Sequence, residues 1–160
     1  MALALLSRGP SAREDEQLRR AADALRLELA GDTVTYVVNR NLNVSNHCIK
    51  HCSFCAFRRD AGEPGAYWLS EAELEQRAAE AQAAGATELC IQGGLNPAAT
   101  VDGSQLAYAE GLLRLLQGAA PGIHRHAFSP QELLYFSQHD GLPLDRVLER
   151  LRAAGLASVP

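Results

Sequence analysis

Apolar residues recur at the spacing of one helical face at Leu18, Ala22, Leu25 and Leu29, behind a capping box made by Ser11 and Glu14. Gly31 is placed to end that helix. Residues 33–38 change the period: β-branched and aromatic side chains in a row predict a strand. A polar stretch over 39–46 leads into three cysteines, and the loop after them, 58–65, is rich in charge and turn formers. From Ser70 the pattern becomes regular. Ser70 and Glu73 make a second capping box, Leu74, Ala78 and Ala81 line one face, and Gly85 stops the helix. Residues 87–91 predict a short strand that runs into Gln92, Gly93 and Gly94. Leu106, Leu113 and Leu116 mark the inward face of a helix over 105–117, closed by Gly118, and 123–128 predicts a third strand. Ser129, Pro130 and Glu132 supply an N-cap, a first-turn proline and a capping-box acid. Pro143 opens the last helix, with Leu144, Val147 and Leu151 inward and Gly155 as its stop.

Strand and helix therefore alternate, which is the grammar of a parallel α/β fold with right-handed crossovers. No repeat of roughly 20–50 residues interrupts it. At 157–160 a further strand begins to form in the pattern. A closed eight-stranded barrel takes about 250 residues, and this chain has 160. The expected architecture is the N-terminal part of a TIM-type (β/α) barrel over 31–160, behind a helical extension over 1–30, truncated before closure.

Composition narrows the partners. At 47% hydrophobic the chain can bury a core, and a formal charge of -4 gives no electrostatic reason to expect nucleic acid or an anionic membrane. No apolar run approaches the about 18 residues of a membrane span. The opening, residues 1–6, is apolar but short and has no basic segment before it, so it does not read as a signal peptide. A cytoplasmic protein with reduced thiols is the expectation.

Three of the four cysteines, Cys48, Cys52 and Cys55, fall within eight residues. With reduced thiols, that spacing points to a metal and not to a disulfide framework. Thiolate is the usual ligand of iron–sulfur centres, and three thiolates on one loop can each take one iron of a 4Fe–4S cubane. Three in place of four leaves one iron open to a substrate. The competing metal is zinc, for which His47 or His51 completes a Cys3His set in a non-catalytic binding module. Its usual ligand pairs are of the CxxC type and recur in a second half of the motif, and no second half is present. Phe54 stands before the third cysteine, either against a ligand or in the core. Gln92, Gly93 and Gly94 lie at the C-terminal end of a strand, where such barrels place their sites, and glycine there permits close backbone approach. Cys90 reads as a buried small apolar side chain. His124 and His126 share a face of the third strand, as substrate contacts or as hydrogen-bonded structural histidines. His139 reads as loop surface, and Arg58 and Arg59 as a solvated pair or a carboxylate contact.

The stretch CIKHCSFC at 48–55 fits CxxxCxφC, with φ aromatic, at every specified position, and so resembles the radical S-adenosylmethionine (SAM) superfamily. That resemblance implies that Cys48, Cys52 and Cys55 hold a 4Fe–4S cluster whose open iron takes the amino and carboxylate groups of SAM. It also implies that Phe54 packs near the adenine, and that one electron splits the sulfonium bond to give a 5′-deoxyadenosyl radical. Gln92, Gly93 and Gly94 correspond to a GGE-like element that binds the methionine amino group. Leu95 stands where the acid would, so only the backbone role carries over.

NRNLNVSN at 39–46, CSFCAFRRD at 52–60, CIQGGLNP at 90–97 and HAFSP at 126–130 narrow the resemblance to the deazaflavin and menaquinone branch. They are similar chiefly to the family of the second FO synthase subunit, over residues 31–160. The implied enzyme is a transferase. The radical takes a hydrogen atom from L-tyrosine, and the 4-hydroxybenzyl fragment adds to 5-amino-6-(D-ribitylamino)uracil. The adduct passes to the other FO synthase subunit, SAM is consumed, and a one-electron donor is needed. His126 is the candidate catalytic residue. The alternative within the branch is cyclic dehypoxanthine futalosine synthase of menaquinone biosynthesis, which has a similar HAFSP element. The CIQGGLNP form and DGSQ at 102–105 favour the tyrosine enzyme. The residues that shape the substrate pocket are expected past Pro160, and the fragment alone is expected to be inactive.

Overall fold

The computed structural model describes residues 11–160, so the apolar opening at 1–6 lies outside the described residues. The chain divides into two units, Met1–Tyr36 and Val37–Pro160. In the first, α1 spans Ala12–Ala30 with both halves of the Ser11–Glu14 capping box in place. Gly31, at φ 63°, ends it by donating its N–H to Leu27 O at 3.0 Å. The apolar stripe lies on a helix as expected, but no residue of α1 is buried, and Leu29 is 76% exposed. Pairs such as Glu16–Arg19 and Asp23–Arg26 decorate the helix surface.

The predicted strand at 33–38 does not form. Val34 and Tyr36 are 88% and 85% exposed, and the first strand, β1, is Asn39–Asn43. Propensity favoured the earlier segment, but a strand exists only where a neighbour pairs with it. The pairing partner, β2 (Glu88–Gln92), runs against 39–43 with Asn39 beside Glu88 and Leu42 beside Ile91.

The second unit carries α2 (Glu71–Ala83), α3 (Gln105–Ala119), β3 (His124–Ala127), α4 (Pro130–Asp140) and α5 (Leu144–Ala153). The three strands are parallel in the order β1-β2-β3. One sheet face is closed by helices: Leu42, Leu89, Ile91 and Ala127 are fully buried with Leu74, Ala78, Leu106, Leu113, Leu116, Val147 and Leu151. Alternation sends Asn41, Cys90, Gln92, His124 and His126 to the other face. Residues 157–158 continue the sheet beyond β3, where Ala157 N–H donates to Arg125 O and Ala127 N–H to Ser158 O, both at 3.0 Å. The expected next strand position is therefore occupied at its start.

Three local expectations change. Gly118 lies inside α3, and the helix is closed by Ala120, whose N–H reaches Leu116 O. Leu144, in the first turn of α5, is 44% exposed, leaving Val147 and Leu151 as the inward face. His139 sits in the last turn of α4 and not in a loop, bonded to Asp140 at 2.8 Å. Asp140 itself ties α4 to α3, accepting from Ser104 Oγ at 2.5 Å and from the N–H groups of Gln105 and Leu106 at 3.1 Å. That caps α3 with an acid from another helix. Among the described residues, no helix is long and apolar enough to cross a membrane.

Candidate cluster and cofactor site

The cysteines sit on a long excursion between β1 and α2 whose two legs are laced together. Leu69 N–H donates to Val44 O, Arg59 N–H to Asn46 O and Cys48 N–H to Arg59 O, at 2.9, 2.9 and 3.3 Å. Asn46, only 5% exposed, completes the clamp through Gly65 O and Tyr67 N–H. The tip between these legs carries Cys52, Phe54 and Cys55, with Cys55 N–H turned back onto Cys52 O at 3.0 Å. All four cysteines are free thiols, Cys52 exposed and Cys48 and Cys55 partly so. Phe54 is 90% exposed, which excludes core packing and leaves its ring free for a ligand.

The segment after β2 is stitched onto this loop. Gly94 N–H donates to Ser45 O at 2.9 Å, Ile49 N–H to Leu95 O at 3.0 Å, and Leu95 N–H to Cys48 Sγ at 3.3 Å. Gly94 is where the two backbones pass. A Cβ there would stand 2.0 Å from His47 O and 2.8 Å from Cys48 Cβ, whereas one on Gly93 would meet nothing nearer than 3.7 Å. The second glycine thus makes room for the cysteine loop.

Glu132 was legible in the sequence only as a helix cap. It is 7% exposed, and one oxygen accepts from Gly93 N–H at 3.2 Å while the other takes Ser129 N–H and Oγ at 2.7 Å. Burial pushes its carboxyl up, against the opposing bonds from Ser129 and Gly93. The Gly93 contact joins residues 39 apart, so no local signal could have found it. Behind the glycine loop lies a cavity of about 40 Å³ lined by Asn96, Gln105, Tyr108, Phe128 and Glu132, room for about one water. Asn96 Nδ2 is buried there without a partner.

The remaining candidates separate. Arg58 pairs with Asp60 at 2.5 Å, and Arg59 Nη1 holds Ala56 O and Arg58 O at 3.0 and 2.7 Å, fixing the exit of the cysteine loop. Cys90 is half-buried on the face away from the core, a departure from the buried apolar role expected of it. Burial, then the Glu88 carboxylate, pushes its thiol up. Gln92 ends the same strand on the same face, beside Asn43. His126 and His124 share that face too, but both are bonded to Ser158. A closed Cys3His zinc site would bring its donors within about 4 Å of one another. Among the described residues, the sole group of three His, Cys, Asp or Glu ligand atoms within 4.8 Å is Glu88, His124 and His126, and the cysteine loop forms none.

Residues 42–160 match the Radical SAM superfamily. The chain is 55% identical over 152 residues to the 5-amino-6-(D-ribitylamino)uracil–L-tyrosine 4-hydroxyphenyl transferase of Gloeobacter violaceus, covering 94% of this chain and 39% of that protein. It is 51% identical over 145 residues to the protein of the same name in Synechocystis, covering 91% and 37%. The chain thus spans well under half the length of these curated relatives. Among solved structures it is similar to HydG, a maturase of the [FeFe]-hydrogenase, with a TM-score of 0.61 at 15% identity over 98% of this chain and 41% of that one. HydG from Carboxydothermus hydrogenoformans gives 0.56 at 20% identity over 94% and 41%. At such identities the likeness is one of fold.

Proposed function

Since the chain belongs to the radical SAM superfamily, we propose that it is the radical-generating part of a 5-amino-6-(D-ribitylamino)uracil–L-tyrosine 4-hydroxyphenyl transferase. The observation that carries the chemistry is the junction of the two loops, Leu95 N–H on Cys48 Sγ and Gly94 against His47. It makes the cysteine loop and the strand-end glycines one rigid piece. Relatives of that name, half identical to this chain over nine-tenths of its length, support the choice of reaction.

The residues present fit the cofactors. Cys48, Cys52 and Cys55 are free and accessible, and would hold the three irons of a 4Fe–4S cluster that thiolates can reach. Gln92, Gly93 and Gly94 would meet the methionine part of SAM with backbone and amide groups, and exposed Phe54 would cover the adenine. When bound, the cluster supplies the electron that splits SAM and lets an adenosyl radical take hydrogen from L-tyrosine. The chain's own contribution is positioning. The Asn46 clamp and the Arg59 bonds hold the loop's two legs and so fix the base from which the three thiols are presented. Glu132 fixes Gly93 from behind.

In this reading the 4-hydroxybenzyl fragment is transferred to the ribitylaminouracil, the adduct goes to the other FO synthase subunit, and a cytoplasmic one-electron donor feeds the cluster. The barrel portion begins near residue 31, with a helical extension before it. Anaerobic reconstitution tests the cofactor half: about four irons and four sulfides per chain and an EPR signal altered by SAM are expected. Stoichiometric zinc with no cubane signal would overturn it. For the reaction, the full-length protein is incubated with SAM, reductant, tyrosine and the diaminouracil. 5′-Deoxyadenosine that forms only with a futalosine-type substrate would refute the tyrosine assignment.

A further inference from the structure

A second set of ligand-type side chains converges on the open face of the sheet. Period-two alternation puts His124 and His126 of β3 side by side, and the parallel register sets Glu88 of β2 opposite His124. One donor atom from each of the three lies within 4.8 Å of the other two. His124 Nε2 and His126 Nδ1 both reach Ser158 Oγ at 2.7 Å, so two ring nitrogens point at one spot. Glu88 Oε2 is 3.9 Å from His124 Nε2. A hydroxyl carries one proton, so it donates to one ring nitrogen at most, and at least one imidazole presents an N–H there.

We propose that Glu88, His124 and His126 form a binding site for a divalent first-row transition metal of the zinc type. Two imidazoles and one carboxylate suit zinc, cobalt or ferrous iron, and offer too few oxygens for calcium or magnesium. A zinc–nitrogen bond of about 2.0–2.1 Å is shorter than the present 2.7 Å, so each ring advances by about 0.6 Å toward the point where Ser158 Oγ now stands. Ser158 then rotates aside or becomes a further ligand. Three protein ligands leave a position open, as in zinc sites that bind water or a substrate oxygen. The His124 side chain is 44% exposed, so ions reach the site from solvent. The cluster loop is elsewhere: Glu88 and His124 open their strands, while Gly93 and Gly94 follow the far end of β2. Four residue steps of strand run from Glu88 to Gln92, about 13 Å.

Cobalt(II) is the probe, titrated into the 160-residue chain carrying Cys48→Ser, Cys52→Ser, Cys55→Ser and Cys90→Ser. One equivalent is expected to bind with weak d–d absorption and no thiolate charge-transfer band. His124→Gln and Glu88→Gln are each expected to weaken it at least tenfold, with the fold checked by circular dichroism. A chain that binds no cobalt, or binds it equally after both substitutions, would reduce the three side chains to a hydrogen-bonded cluster around Ser158. The cysteine-intact chain gives an independent reading: there His124→Gln is expected to lower the zinc stoichiometry by one equivalent. An unchanged count overturns the site.

Discussion

Adding a single methyl group at Gly94 tests how the two loops are joined. A Cβ at that position would lie 2.0 Å from His47 O, 2.6 Å from His47 C and 2.8 Å from Cys48 Cβ. All three atoms belong to the cysteine loop, and two are backbone that no rotamer change can move. Carbon and oxygen atoms that are not bonded need about 3.3 Å, so Gly94→Ala must drive the loops apart by more than 1 Å. Overpacking of this kind costs about 1–3 kcal/mol. The displacement also strains three hydrogen bonds that span the junction, each with a net contribution of about 0.5–1.5 kcal/mol. A loss of about 2–5 kcal/mol is therefore expected, read as a lower urea midpoint. Iron retained after anaerobic reconstitution should fall with it, because Leu95 N–H is drawn away from Cys48 Sγ. Gly93→Ala is the internal control. Its nearest contact would be an ordinary 3.7 Å, and a change below about 1 kcal/mol is expected. Equal urea midpoints and iron contents for wild type and Gly94→Ala, or equal losses for both glycine variants, would refute the reasoning.

Other residues give sharper single readings. Burial raises the Asp140 carboxyl, but bonds from Ser104, His139 and the N–H groups of Leu106 and Gln105 outweigh it and hold the group below the usual carboxylate range. Its contribution is thus complete above the unfolded value of about 3.9 and lost as pH falls through the lower folded value. Asp140→Asn should cost about 1–2 kcal/mol at neutral pH and flatten the acid limb of a urea-midpoint profile. Glu132 runs the other way: burial raises it, so stability declines as pH rises from about 4.3 toward its folded value. Glu132→Gln should remove that slope while keeping an acceptor for Gly93 N–H; an unchanged profile would contradict the assignment. Phe54→Ala should leave the urea midpoint unchanged within about 0.5 kcal/mol, since the ring is 90% exposed, yet weaken SAM binding measured by calorimetry. Leu113→Ala, fully buried in α3, should cost about 2–5 kcal/mol, against less than about 0.5 kcal/mol for Leu25→Ala on exposed α1.

Local chemistry was legible wherever the signal was short-ranged. Ser11–Glu14, Ser70–Glu73 and Ser129–Glu132 form their capping boxes as read, because every partner lies within one helical turn. The period of Leu74, Ala78 and Ala81 and that of Leu106, Leu113 and Leu116 gave the buried faces, since one helix face meets one sheet. The three thiols of the loop were legible as a set, because thiol count and separation are properties of sequence. What failed depended on a neighbour. Residues 33–38 have strand composition but are not assigned to a strand, while the asparagine-rich 39–43 pairs with β2 and becomes one. Gly94 keeps its place because the cysteine loop crosses it, and Glu132 reaches Gly93 only after β2 and α4 have docked. His124 and His126 were seen to share a face, but Glu88 and Ser158 join them through sheet register. Sequence alone determined which groups were available and how each turn of chain begins and ends. Tertiary structure decided which of them meet, because hydrogen bonds and steric contacts between distant segments exist only once packing has set their distances.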